Sequence, residues 1–123
     1  MTLALRVLLV DDNVMNVELF RDVLEADGHT VTVERDGIAG RDRALAEPFD
    51  VLLLDIHLPG LDGYALCRTL RASGVDRPIL AVSSSAMAEH VRRGAEAGFD
   101  EYLTKPIAPA AIRAAIRRHT GPA

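Results

Sequence analysis

Strand-like and helix-like stretches alternate five times along the chain. That alternation predicts an α/β fold, a five-stranded and mostly parallel sheet with five helices in a three-layer sandwich. Two further observations set the layout. Three of the strand-like runs are apolar throughout, the mark of strands covered on both faces, while the other two are alternating or short, the mark of sheet edges. The length of 123 residues suits one domain, so a single domain over residues 1–123 is expected.

Each element has a local reason. Arg6-Val7-Leu8-Leu9-Val10 is apolar and rich in β-branched residues. Asp12 or Asn13 is placed to cap the helix that follows, in which Val17, Phe20 and Leu24 recur on one face. Gly28 ends it. Thr30-Val31-Thr32-Val33 alternates, so it reads as a strand wetted on one side, and a helix over residues 37–46 stops before Pro48. Val51-Leu52-Leu53-Leu54 and Ile79-Leu80-Ala81-Val82 are the other two apolar runs. Helices over 62–72 and 86–97 follow them, the second carrying a thin apolar stripe of Met87, Val91 and Ala95. Glu101-Tyr102-Leu103 is a short last strand. In the last helix Pro109 sits in the first turn, where it is tolerated, and Ile112, Ala115 and Ile116 form the buried face. Strands one, three and four are therefore central, which gives the order 2-1-3-4-5 of the flavodoxin-like doubly wound fold.

Composition excludes several functions. Eighteen acidic against fourteen basic residues leave a net charge of −4, which argues against direct nucleic-acid binding. No apolar run approaches the ~20 residues of a membrane span. The lone Cys67, expected on a helix face, permits no intrachain disulfide or cysteine cluster and fits a reducing, cytoplasmic setting. Of the fourteen basic residues only Lys105 is a lysine.

In this fold a ligand lies beyond the carboxyl ends of the strands, at the switch point between strands one and three. Asp11 and Asp12 follow strand one, Asp55 strand three, Ser83, Ser84 and Ser85 strand four, and Thr104, Lys105 and Pro106 strand five. Three carboxylates and one ammonium thus converge on one rim. Crowded carboxylates take up protons or bind a cation. An all-oxygen set suits Mg²⁺, which uses few carboxylates, water and a phosphate oxygen. Three negative charges, one lysine and a divalent ion sum to zero, so an anionic phosphoryl group is admitted. An Asp carboxylate can then act as nucleophile and form an acyl phosphate.

On these motifs the chain resembles a receiver domain of a two-component response regulator. They are Val-Asp11-Asp12-Asn13, Leu-Asp55-Ile-His-Leu-Pro59-Gly-Leu-Asp62-Gly63, Ala-Val-Ser83-Ser-Ser-Ala-Met and Tyr102-Leu-Thr-Lys105-Pro106, in order from Val7 to about His119. The opening and the Ser-Ala-Met segment resemble both hybrid-kinase receivers and single-domain chemotaxis-type regulators. The resemblance implies Asp55 as phosphoacceptor. It implies Mg²⁺ held by Asp11, Asp12, Asp55 and the backbone carbonyl of His57. Ser83 would bond the phosphoryl group, Lys105 would pair with Asp55, and Tyr102 would be an aromatic switch turning inward toward Ser83. The Lys105–Pro106 bond would be cis. His57, Ser84 and Ser85 would tune dephosphorylation, Ser84 standing where the family commonly has Ala or Gly.

The implied function is transfer of a phosphoryl group from a phosphohistidine, on a histidine kinase or a histidine phosphotransfer protein, to Asp55. This would switch the fourth helix, fifth strand and fifth helix toward an unknown output protein or a phosphorylation-dependent homodimer. Such a module is not an enzyme on other substrates. A stand-alone regulator is the first expectation, a receiver within a longer protein the second. The alternative is a small aspartyl-phosphate phosphatase of the haloacid-dehalogenase type. It needs a second Asp two residues after the nucleophile, where this chain has Asn13 or His57. Simpler roles stand beside these: capping for Asp12 and Asn13, turn formation for Ser84 and Ser85, a solvated surface for His29, His90 and His119. Arg113, Arg117 and Arg118 suit the negative end of the last helix.

Overall fold

The computed structural model describes residues 4–120; the ends of the single domain expected over 1–123 lie outside them. The strands are β1 (Arg6–Val10), β2 (Thr30–Glu34), β3 (Val51–Asp55), β4 (Ile79–Ser83) and β5 (Glu101–Thr104). The helices are α1 (Val14–Ala26), α2 (Gly37–Ala46), α3 (Gly63–Ala72), α4 (Ala88–Ala97) and α5 (Pro109–Thr120). All neighbouring strands pair in parallel, in the expected order 2-1-3-4-5.

The two-residue period of a strand sorts the apolar runs into two cores. Val7, Leu9, Val51, Leu53, Leu80 and Val82 face one side and meet Val17, Phe20 and Leu24 of α1 and Ile112, Ala115 and Ile116 of α5. Leu8, Val10, Leu52, Leu54, Ile79 and Ala81 face the other and meet Leu66, Cys67 and Leu70 of α3 and Ala97 of α4. Val31 and Val33 of the edge strand pack partly against the first core, as the alternating pattern requires.

Several boundaries differ from expectation. Between Asp12 and Asn13 it is Asn13 that caps α1, its side chain accepting from the Asn16 N–H at 3.1 Å. Helix α3 begins at Gly63 because Asp62 is its cap. Helix α4 begins at Ala88, two residues late, with Met87 at the cap position and no side-chain cap bond. The Met87, Val91 and Ala95 stripe faces solvent, and α4 instead buries Gly94 and Ala97. These small residues let it lie close to the sheet.

The histidines also depart from a solvated role. His29 is buried, its Nδ1 accepting from the Leu5 N–H at 3.0 Å. His119 lies 2.7 Å from Glu101 and His90 2.6 Å from the Ser85 hydroxyl. Arg113 serves a contact between helices, pairing with Asp27 beyond the end of α1 at 3.0 Å, and Arg118 pairs with Glu101.

Candidate functional site

The rim at the carboxyl end of the sheet is assembled by strand register. Asp11 directly follows β1, Asp55 ends β3 and Ser83 ends β4. The backbone ladder continues one step past the strands, Ile56 N–H donating to Val82 O at 3.1 Å and Lys105 N–H to Ser83 O at 2.7 Å. That last bond fixes the lysine stem over the pocket. The Lys105–Pro106 peptide is cis.

Asp11 and Asp55 are buried and built alike. In each, Oδ1 accepts the N–H two residues on, from Asn13 at 2.9 Å and from His57 at 3.0 Å. This turn fixes the carboxylate plane and leaves Oδ2 for the pocket. Asp55 Oδ2 accepts from Lys105 Nζ at 3.0 Å. Asp11 Oδ2 is enclosed and accepts no hydrogen bond, with Lys105 Nζ 3.7 Å away. Asp12 is exposed beside them, and one oxygen from each of the three carboxylates lies within 4.8 Å of the others.

Burial is the main reason that the Asp11 carboxyl is pushed up to about 6, the Asn13 N–H opposing it and the Asp55 charge adding to it. A buried oxygen without a donor, among three carboxylates served by one ammonium, is a site short of positive charge. An all-oxygen set of this size fits a small divalent cation.

The other predicted residues surround this centre. Ser83 is buried, and its Oγ accepts from the Ser85 N–H at 3.2 Å. Ser84 and His57 are exposed at the rim. Tyr102 is half-buried, and its hydroxyl is already enclosed, with no hydrogen bond. Its ring lies over Gly94, where an added Cβ would meet Tyr102 Cδ2 at 2.9 Å.

Two residues of this corner escaped the sequence reading. Tyr64 of α3 is buried, its hydroxyl donating to the His90 carbonyl at 3.1 Å, while the Arg93 guanidinium stacks on its ring 4.2 Å from the centroid. The available signal was that the chain has only two tyrosines, and both lie here.

Gly63 matters for a different reason. A Cβ there would meet Ile56 Cα at 2.7 Å, so only glycine lets α3 start against the end of β3. Gly63→Ala is expected to cost about 2 kcal/mol or more, because the obstruction is backbone. Urea unfolding checks this, and an unchanged midpoint would contradict it.

The model of the response regulator receiver domain family matches residues 7–117. The chain belongs to that family. This receiver is 41% identical over 121 residues to the transcriptional regulatory protein CseB of Streptomyces coelicolor, covering 94% of the chain and 51% of CseB. It is 36% identical to the sensor histidine kinase GacS of Pseudomonas protegens, covering 94% of the chain and 13% of GacS. The receiver thus spans about half of one relative and a small part of the other.

Among solved structures it resembles the receiver domain of the sensor histidine kinase PA1611 of Pseudomonas aeruginosa, with TM-score 0.89 and 33% identity over 98% of this chain and 100% of that one. That structure is described with a magnesium ion coordinated in its active site cleft. The BeF3-activated receiver of Klebsiella pneumoniae RstA gives TM-score 0.88 and 31% identity over 94% and 97%. The haloacid-dehalogenase alternative finds no support in these matches. Among the described residues no helix is long and apolar enough to cross a membrane.

Proposed function

We propose that this receiver takes a phosphoryl group onto Asp55 from a phosphohistidine of a histidine kinase or histidine phosphotransfer protein, in a Mg²⁺-dependent step. The observation that carries the reading is the pocket itself: three carboxylates within 4.8 Å, one with a buried unpartnered oxygen, and one ammonium bonded to Asp55. Asp11, Asp12, Asp55 and the His57 carbonyl would hold the cation, whose chemistry is to neutralise charge on the phosphoryl oxygens.

The chain's own residues supply the rest. The Asp55 carboxylate attacks phosphorus, forming a P–O bond as the bond to the donor imidazole breaks and the electron pair leaves with its nitrogen. The turn to His57 N–H holds Oδ1, which leaves Oδ2 as the attacking atom. Lys105 moves from the carboxylate to a phosphoryl oxygen, and Ser83 donates to another. Ser83 can donate while its Oγ still accepts the Ser85 N–H, so its move toward the phosphoryl group draws the β4–α4 loop with it. Tyr102, α4 and α5 carry the change to an output protein or to a second copy of the chain. His57, Ser84 and Ser85 at the rim set how water reaches the acyl phosphate. The setting is cytoplasmic, where the kinase's phosphohistidine is made.

The test is incubation with acetyl phosphate and Mg²⁺, read by intact mass. One added phosphoryl group is expected, absent when EDTA is included. Equal incorporation with the chelator would refute the Mg²⁺ dependence.

A further inference from the structure

The Ser85–His90 pair lies outside the pocket but is tied to it. Ser85 joins two networks through different atoms. Its backbone N–H donates to the Ser83 hydroxyl inside the site. Its own hydroxyl turns the other way, 2.6 Å from His90 Nδ1 and 3.4 Å from the Met87 N–H, both on the α4 side. The hydroxyl makes no bond to Asp55, Lys105 or Asp11. Either tautomer keeps the pair, because a hydroxyl can donate to a bare Nδ1 or accept from Nδ1–H.

His90 is itself well anchored. Its carbonyl accepts from Tyr64 of α3, whose ring carries the Arg93 guanidinium, and its Nε2 lies 3.9 Å from the Glu89 carboxylate. Helix α4 has no side-chain cap, so the Ser85 hydroxyl is the side-chain tie between its first turn and the loop from β4.

We propose that His90 is a positioning residue that withholds the Ser85 hydroxyl from the phosphoryl site and so lengthens the life of the acyl phosphate. The proposal rests on Asp55 being the phosphoacceptor. Hydrolysis adds a water oxygen to phosphorus as the P–O bond to Asp55 breaks. The carboxylate leaves with the electron pair, the water's proton passes to solvent, and inorganic phosphate departs. A serine hydroxyl turned into the pocket both donates to and accepts from that water, and so holds it in line. Turned toward α4 by His90, it does neither.

The experiment measures loss of the phosphoryl group after acetyl phosphate is removed, in wild type, His90→Ala, His90→Asn, Ser85→Ala and the Ser85→Ala/His90→Ala double variant. Releasing a hydroxyl held by one hydrogen bond is expected to speed loss about threefold to tenfold in His90→Ala. Ser85→Ala has no hydroxyl to release, so it shows no acceleration and is the baseline for the double variant. The double variant matches Ser85→Ala, because His90 acts only through Ser85. His90→Asn, with a carboxamide group where Nδ1 lies, restores most of the lifetime. The Tyr64 bond is to backbone and survives in every variant.

A lifetime in His90→Ala equal to or longer than wild type would overturn the proposal. So would an acceleration that persists without the Ser85 hydroxyl, since that marks a general loosening of α4. Failure of the wild type to incorporate phosphoryl overturns the Asp55 reading as well, whereas normal incorporation with an unmoved lifetime overturns only the role of His90.

Discussion

Asp55→Asn is expected to abolish phosphoryl incorporation, lowering the rate at least about a thousandfold, or ~4 kcal/mol of transition-state stabilisation. The carboxamide keeps the oxygen that accepts the His57 N–H, so the turn after β3 survives. What is lost sits at Oδ2, where an amide nitrogen that is a poor nucleophile now faces Lys105 Nζ, donor against donor. The loss should therefore be chemical, with the fold intact. Intact-mass labelling with acetyl phosphate and Mg²⁺, beside a circular dichroism spectrum, checks both halves. Incorporation near the wild-type level, mapped by peptide analysis to Asp11 or Asp12, would move the phosphoacceptor and sink the assignment.

The fold and the pocket were legible in the sequence for one shared reason. Fully covered parallel strands must be apolar on both faces, so Val7–Val10, Val51–Leu54 and Ile79–Val82 identify themselves as central. Once they are central, the residue after each strand is on the rim. Asp11, Asp55, Ser83 and Lys105 become neighbours although they are scattered over most of the chain. The lone lysine among thirteen arginines was a weak signal by count and a telling one by place, since it lies 3.0 Å from Asp55.

What the sequence concealed are contacts between elements that no periodicity encodes. The link from Ser85 to His90 joins a loop to a helix, and the bond from Tyr64 to His90 joins two helices. Either needs the relative placement of α3 and α4. The thin α4 stripe does not tell which face packs, since Met87, Val91 and Ala95 are exposed. Here the approach of Tyr102 to Gly94 requires small residues inside.

Asp11→Asn is expected to make the metal-free protein more stable while removing its response to Mg²⁺. Asp11 is fully buried, its carboxyl pushed up to about 6 by that burial, and its Oδ2 has no donor. A carboxyl that binds its proton more tightly when folded adds stability below its unfolded value near 4. That stability is lost as pH rises through about 6. Near pH 8 the wild type therefore folds around an unfavourable buried charge, and the shift sets the cost at roughly 2 to 3 kcal/mol. Asparagine keeps the oxygen that accepts the Asn13 N–H and removes the charge, so a gain of about 1 to 3 kcal/mol is expected, several degrees in Tm. The same charge is what would bind the divalent cation proposed for this pocket. Saturating Mg²⁺ should raise the Tm of the wild type by ligand linkage and leave that of Asp11→Asn nearly fixed. In the wild type the Mg²⁺ effect should fade as pH falls below about 6, where the proton occupies the oxygen that the ion needs. Thermal melts of both proteins across that pH range, with EDTA or Mg²⁺, make the comparison. A variant less stable than wild type in EDTA would show that Lys105 already compensates the Asp11 charge, and that the pocket is not short of a cation.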